Sequence, residues 1–222
     1  MRRAYRWVSS MALGLVAAGG IASAKAQTFT YTIDHPTYGR IGTYTDTLKR
    51  DGDTLRIDTR LRVAVKALGI VVHREEADRT ELWRRDRLVS YHGITTVNGE
   101  RIEVSGEARG DSFVITAPSG TTVAPGNIYP SSPWSAARPP SDTLMSTKTG
   151  RVFKVRMSGT DSILSQLEGL EVPTRHVEVR TDKHQEVWLD KHGIPVHFRT
   201  EENGTAIEFR LAPEAFALLR GQ

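Results

Sequence analysis

The sequence contains no cysteine among its 222 residues. Disulfide bonds, cysteine nucleophiles and thiolate metal ligands are therefore excluded, and a packed core has to supply the stability of the fold. The sequence also lacks the Gly-x-Ser-x-Gly nucleophile motif, the phosphate-binding loop, the dinucleotide fingerprint and the His-Glu-x-x-His zinc motif. We therefore predict no catalytic residue and no cofactor, and a binding or structural protein is favoured over an enzyme.

Long apolar runs are absent except at the beginning of the chain. Three arginines lie among the first six residues, residues 7–21 are mostly apolar, and residues 22–26 are small apart from Lys25. This order is typical of a secretory signal peptide, so we expect residues 1–26 to be removed before Gln27, with a cut before Lys25 as the alternative. An uncleaved membrane anchor is disfavoured because the run is short and contains serines and glycines. The sequence thus predicts a periplasmic or secreted protein without a transmembrane segment in its mature chain.

The sequence has little net charge once this leader is set aside. The whole chain carries a formal charge of +4, and residues 1–26 contribute four basic side chains and no acidic one. Residues 27–222 are therefore formally neutral, which argues against nucleic acid as a partner. Their length suits a single domain with a sizeable core.

Helical periodicity is scarce in these residues, whereas strand periodicity is common. Thr54–Ala67 alternates apolar and polar residues, which is typical of a long strand with one buried face. Turn-forming pairs such as Asn98-Gly99 and His192-Gly193 separate short β-like runs at intervals of about ten residues. We predict an all-β fold built on a large curved antiparallel sheet, as a half-barrel or closed barrel. Short helices are predicted only at Asp161–Glu168 and Pro213–Leu219.

Charged residues dominate His73–Arg87, where two interpretations compete. Glu75–Arg79 and Glu81–Arg85 have the i,i+4 spacing that supports a helix. The neighbouring segments have strand periodicity, so we predict a strand here as well. Within it, Arg79 and Glu81 are candidates for an internal ion pair or for a polar anchor that binds a ligand.

Half of the ten prolines lie in Pro125–Pro140, which also contains Tyr129 and Trp134. Proline removes backbone donors, so this segment is predicted to be a long loop or flap rather than a central strand. One interpretation places Tyr129 and Trp134 at the rim of a ligand site. The other makes the segment a structural cover whose Trp134 fills the open end of a sheet.

Histidine is the remaining source of metal ligands. His176 and Glu178 share one face of a predicted strand, and His184, His192 and His197 follow nearby. These side chains could converge on a metal ion, which keeps a hydrolase or metal enzyme as a hypothesis. Their spacing fits no known zinc motif, so surface and turn histidines are the favoured interpretation and no metal site is predicted.

Several short strings carry a resemblance to a known family. They are Tyr38-Gly39-Arg40-Ile41-Gly42, Ala77-Asp78-Arg79-Thr80-Glu81-Leu82-Trp83, Ser132-Pro133-Trp134-Ser135, Ser146-Thr147-Lys148-Thr149-Gly150 and Val187-Trp188-Leu189-Asp190-Lys191-His192-Gly193-Ile194-Pro195-Val196. The chain resembles a domain-of-unknown-function family of secreted proteins from Gram-negative bacteria. It is more distantly similar to periplasmic curved-sheet proteins of the lipoprotein-carrier type. This resemblance implies a half-barrel whose concave side holds an acyl chain or a plug, and it supplies no catalytic residues.

Three functional hypotheses follow. The first is a periplasmic binding or carrier module for an apolar, lipid-like ligand, because a broad apolar sheet face needs a cover. The second is a structural or envelope-assembly protein that acts through protein partners and has no small ligand. The third is the hydrolase or metal enzyme.

Overall fold

The computed structural model describes residues 26–166, 170–181, 184–202 and 204–215. The first half of these residues forms a series of long strands: β1 (Ala26–His35), β2 (Gly39–Asp51), β3 (Thr54–Ala67), β4 (Ile70–Arg84), β5 (Arg87–Val97), β6 (Glu100–Arg109), β7 (Ser112–Ala117) and β8 (Gly120–Pro125). A compact segment follows, with β9 (Tyr129–Pro130), a 3-10 helix (Pro133–Ala137), β10 (Thr143–Met145) and β11 (Val152–Lys154). The last strands are β12 (Arg156–Gln166), β13 (Leu170–Arg180), β14 (His184–Leu189), β15 (Pro195–Glu202) and β16 (Thr205–Leu211).

Thirteen of these strands form one antiparallel sheet, in the order β12-β13-β14-β15-β16-β1-β2-β3-β4-β5-β6-β7-β8. The sheet is not closed, and β8 and β12 are its edges. Neighbouring strands are consecutive in sequence except at the pair of β1 and β16, where Tyr31 lies opposite Leu211. The predicted all-β fold with a large curved antiparallel sheet is therefore confirmed, in its open form.

The two strand predictions for the highly charged and the alternating segments are confirmed. β3 has the predicted bounds, and its apolar positions Leu55, Ile57 and Leu61 are buried while Arg56 and Arg60 are exposed. β4 contains most of the charged segment. The i,i+4 charge pairs that would support a helix are weaker than the backbone hydrogen bonds to β3 and β5 on either side.

The helix predicted at Asp161–Glu168 is wrong for the residues that the structure describes. Residues 161–166 belong to β12, where Asp161 lies opposite Arg175 of β13. The segment has too few residues to form a stable helix alone, and pairing with β13 satisfies its backbone groups instead. The second predicted helix starts as expected at residues 213–215, and its remainder lies outside the described residues.

The inner face of the sheet, defined by buried side chains such as Phe29, Trp83 and Phe198, is covered by residues 128–155, which we call the plug. Gly150 of the plug packs against Ile115 of β7, and the 3-10 helix contacts β14 and β15. β7 and β15 are eight strands apart in the sheet, which would be about 38 Å in a flat sheet. Because the plug touches both, the sheet has to curve around it.

Bulges and glycines allow this curvature. The strand register shifts at four places, including Leu82/Trp83 in the β4–β5 pair and Trp188/Leu189 in the β14–β15 pair. A Cβ atom at Gly106 would overlap the ring of Phe113, so glycine lets this fully buried ring lie directly against the neighbouring strand.

No helix in the described part of the chain has the length and apolar character needed to cross a membrane.

Candidate functional site

The most unusual chemistry of the described residues lies between the plug and the inner face of the sheet. Asp46 of β2 lies two positions from both Tyr44 and Leu48, so the three side chains share the inner face of the sheet. The Asp46 side chain is fully buried. One carboxylate oxygen, Oδ1, accepts a hydrogen bond of 2.5 Å from the Thr59 hydroxyl, and Oδ2 accepts one of 2.7 Å from the Trp134 indole N–H. The Asp46 side chain of the sheet thus binds Trp134 of the plug through a hydrogen bond.

The surroundings of Asp46 favour its neutral form. Burial raises the pKa of Asp46 from its ordinary value to about 7, although the hydrogen bonds from Thr59 and Trp134 act in the opposite direction. Glu81 raises this pKa further and Arg79 lowers it, each by a smaller amount. No cation forms an ion pair with Asp46 among the described contacts, so desolvation dominates.

A second contact joins the plug to β4. The Trp83 indole N–H donates to Glu81 Oε2 at 2.9 Å, and both side chains are buried. The Arg138 guanidinium lies 3.6 Å from the centre of the Trp83 ring, in cation–π geometry, and Tyr129 packs edge-on against the same ring. Plug residues therefore enclose Trp83, and their contacts with this side chain anchor one end of the plug to β4.

Burial also shifts the pKa values of the ionisable groups around this second contact. Burial raises the pKa of Glu81, while the hydrogen bond from Trp83 lowers it, as do the Arg138 and Arg79 charges. Burial lowers the pKa of Arg138, which Glu81 and Asp86 partly offset. The Nε groups of Arg79 and Arg138 are buried and have no hydrogen-bond partner. The interface thus contains two carboxyl groups and two guanidinium groups in little water.

A third contact involves the far part of the plug. The Tyr91 hydroxyl of β5 donates a 2.5 Å hydrogen bond to the backbone carbonyl of Thr147. Gly93, two residues further along the same strand, has no side chain and thereby leaves room for the Tyr91 hydroxyl. Lys148 follows with an ion pair of 2.8 Å to Glu75 at the outer end of β4. Three separated contacts therefore hold the plug along its length.

All four candidate residues from the sequence lie at this interface. Tyr129 and Trp134 come from the plug, and Arg79 and Glu81 lie two positions apart on the inner face of β4. Trp134 is buried, as in the interpretation that made the segment a structural cover. Arg79 and Glu81 form no ion pair within 4 Å of each other, and Glu81 binds Trp83 instead. Their role toward a ligand remains a prediction.

Sequence reasoning missed Asp46, Thr59, Trp83 and Arg138 of the first two contacts, and the residues of the third contact as well. Asp46 had a detectable signal, because it occupies an apolar phase of the alternation in β2, between Tyr44 and Leu48. An acidic residue at such a position needs a buried partner. The partner, Trp134, is 88 residues away in sequence, and no local pattern connects the two.

His176, His184 and His197 lie on the opposite, outer face of the sheet, and His192 lies in the turn between β14 and β15. Trp188 is stacked between His176 and His197, with ring centres 4.5 and 4.6 Å apart. His176 Nε2 and Glu186 Oε2 are within hydrogen-bond distance at 3.0 Å, and His197 Nε2 contacts Glu208. Among the residues that the structure describes, no group of three or more His, Asp or Glu side chains is arranged to hold a metal ion.

A solvent-open cleft of about 750 Å³ lies beside the plug, between the 3-10 helix and strands β12–β14. Charged side chains, including Asp161, Arg175, Asp190 and Lys191, contribute to its lining together with Ile163. This mixed lining differs from the apolar chamber that an acyl chain would require.

Comparison with known proteins shows a structural relative and a family for this chain. A crystal structure of a β-barrel-like protein of domain of unknown function DUF1849 from Brucella abortus is similar, with a TM-score of 0.61 over 86% of this chain and 96% of that chain. The two sequences are 11% identical, so the likeness concerns the fold. No curated protein matches the chain. The model of a domain of unknown function, DUF6134, matches residues 39–212, and the chain therefore belongs to the DUF6134 family.

Proposed function

We propose that this protein is an exported structural or assembly protein of the bacterial envelope, which acts through its outer surface and carries no ligand inside its sheet. The observation that carries the proposal is the occupation of the inner face by the plug. The Asp46–Trp134 hydrogen bond, the stacking of Arg138 on Trp83 and the Tyr91–Thr147 hydrogen bond fix the plug to three parts of this face.

The alternative is the carrier of an apolar, lipid-like ligand. In that case the ligand would have to displace the plug. Ile128, Leu144 and Met145 of the plug are almost completely buried, and each contributes about 1.5–3 kcal/mol of burial free energy. The Asp46 carboxyl group would also lose its tryptophan partner. Lipid binding inside the sheet is therefore disfavoured by the free energy that the plug already supplies.

The export part of the proposal is supported by the arrangement of charged, apolar and small residues in the first 26 positions. The first described residue, Ala26, already pairs with Lys49 in the sheet. Removal of the leader before Gln27 would leave the rest of β1 in place. The hydrolase or metal enzyme is a weaker alternative, because the histidines are engaged with glutamates in pairs.

Mass spectrometry under native conditions tests the absence of an internal ligand. We expect protein produced with its own leader and purified without detergent to have the mass of an unliganded chain starting at Gln27. A periplasmic lipid carrier purified in the same way serves as the positive control. A lipid bound at one molecule per chain would contradict the proposal, and stoichiometric zinc in the same sample would favour the metal-enzyme alternative.

A genetic experiment tests the envelope role. We expect deletion of the gene to make cells more sensitive to detergents, and expression of the full chain to restore resistance. Expression of a chain that lacks residues 2–26 is the matched control and should fail to restore it, because that chain stays in the cytoplasm. Equal restoration by both chains would contradict export, and an unchanged deletion strain would contradict the envelope role.

A further inference from the structure

The hairpin between β3 and β4 extends beyond the rest of the sheet. Pairing of β3 with β2 ends at Val63, and pairing of β4 with β5 ends at Glu75. The intervening residues 64–73, which we call the finger, have β partners only within the β3–β4 pair, from Ala64 opposite Arg74 at the base to Ala67 opposite Ile70 at the end. Arg74 at its base is held by hydrogen bonds with Asn98. The finger is therefore a two-stranded ribbon with no sheet neighbour on either side.

The end of the finger is apolar and exposed on both faces. Leu68 is completely exposed, and Ile70, Val71 and Val72 are 69%, 40% and 55% exposed. Ile70 and Val71 are neighbours in the strand and point to opposite faces of the ribbon, and the register shift at Val65/Lys66 leaves Val72 as an unpaired bulge residue. A ribbon that docks against a flat protein surface needs only one apolar face. Apolar side chains on both faces, together with Leu68 at the end, suit a surrounding apolar medium.

The turn of the finger has an apolar residue where turn chemistry favours a polar one. Leu68 and Gly69 have φ angles of 50° and 81°. The neighbouring β5–β6 hairpin uses Asn98 and Gly99 with φ angles of 50° and 94°, and Asn-Gly is the preferred pair for such turns. Leucine at positive φ is energetically unfavourable. The local fold therefore does not explain Leu68, whereas burial in an external partner would.

The charges of the finger indicate the kind of partner. Lys66 is its only formally charged side chain, and the ten residues contain no carboxylate. Behind the finger, Glu75 is paired with Lys148 at 2.8 Å and Glu76 with Arg74 at 3.5 Å. Lys66 lies opposite Val71. Its long side chain can extend back to lipid head groups while Leu68 and Ile70 at the end of the ribbon enter the acyl region.

We propose that the finger inserts its apolar tip, residues 67–72, into the surface of an anionic lipid bilayer. A six-residue tip is too small for the roughly 800 Å² per partner that a stable protein interface buries. Insertion into a bilayer needs no such matched surface, and it removes Leu68, Ile70, Val71 and Val72 from water together. The inference rests on residues 64–73 and is independent of whether the sheet interior is filled.

Vesicle sedimentation tests this proposal. The wild-type protein should bind phosphatidylglycerol vesicles more tightly than phosphatidylcholine vesicles, and high salt should weaken the binding to the former. The triple variant L68N/I70T/V72T should lower the partition coefficient at least tenfold, because each apolar side chain transferred from water is worth about tenfold or more. K66E should lower binding to phosphatidylglycerol about fivefold and binding to phosphatidylcholine little.

The controls separate insertion from folding. L68N alone should keep or raise the unfolding temperature, since asparagine suits a positive φ, while it weakens vesicle binding. V123T removes an apolar residue that is 68% exposed on the edge strand β8 and should bind vesicles like the wild type. All variants share the same N-terminus, so a retained leader would not affect the differences between them.

Three results would overturn the proposal. One is a wild-type protein that does not bind phosphatidylglycerol vesicles, and another is a triple variant that binds them as tightly as the wild type. The third is a wild-type dimer that becomes monomeric in the triple variant without any vesicle binding, which would identify a second copy of this chain as the occupant.

Discussion

Asp46 illustrates how one buried carboxyl group couples the plug to the pH of its surroundings. Its folded pKa of about 7 lies above the ordinary value of 3.8, so the folded state binds this proton more tightly than the unfolded state. The contribution of Asp46 to stability is therefore greatest below pH 4. It is lost as the pH rises toward 7, by at most about 4 kcal/mol.

Asp46→Asn should remove this pH dependence. Asparagine can accept the Trp134 N–H through its oxygen and donate to the Thr59 hydroxyl, so it imitates the protonated acid. We expect the variant to be more stable than the wild type at pH 8 and similar at pH 4, as measured by urea unfolding. Parallel stability profiles for the two proteins would show that Asp46 does not titrate in this range.

The comparison of variants is needed because other groups titrate as well. Burial lowers the pKa of His197 below its ordinary value of 6.5, although Glu208 raises it in part. The unfolded state binds that proton more readily, so stability decreases as the pH falls through this region. The contribution of His197 has the opposite sign from that of Asp46. It cancels in the difference between the variant and the wild type.

Gly93 offers a second test at the level of single residues. A Cβ atom at this position would overlap the Tyr91 hydroxyl, which binds the plug at Thr147. Gly93→Ala should therefore lower the free energy of unfolding by about 1–3 kcal/mol. In the double variant with Tyr91→Phe the overlap is reduced, so we expect the two losses to be less than additive. Additive losses in urea unfolding would mean that the residues act separately.

The plug is the element whose position depends on long-range contacts. Trp134→Ala should cost about 3–5 kcal/mol, because it removes a buried aromatic side chain and leaves Asp46 Oδ2 without a donor. Trp134→Phe keeps most of the packing but removes the N–H, so its cost should be smaller, about 1–3 kcal/mol. Only the alanine variant should bind the dye ANS strongly, since it opens the inner face. Equal dye binding by both variants would show that the hydrogen bond, rather than packing, keeps the plug in place.

The elements themselves were largely predictable from sequence. Strict alternation in Thr54–Ala67 gave its bounds, and the prolines of Pro125–Pro140 marked a segment that is not a central strand. The error at Asp161–Glu168 has a physical reason, because a short segment takes its structure from the strand it pairs with. The position of the plug could not be predicted, because either a ligand or a segment of the chain can cover an apolar sheet face. The partners Asp46 and Trp134 lie on different elements, and only tertiary structure brings them together.

The continuity of the main sheet depends on the pairing of β1 with β16. β1 and β16 form the only neighbouring pair in the main sheet, among the described strands, that is not a hairpin. A chain truncated after Glu202 would leave β1 and β15 as unpaired edges in the middle of the sheet. We expect this truncated chain to lose cooperative thermal unfolding and to aggregate. A synthetic peptide of residues 204–215 should restore a cooperative transition when added in excess, and a peptide of the same composition in scrambled order should not.

The same pairing has a consequence for the time course of folding. The first eight strands are joined by short turns and can pair as soon as they emerge from the ribosome or the export channel. The last strand is synthesised roughly 170 residues after its partner, so the first strand waits almost the whole length of the chain for its second neighbour. Contacts of such sequence separation make folding slow. A pause in synthesis or transit before the final strand would therefore prolong an intermediate with a free edge, and chaperones would act on the protein at that stage.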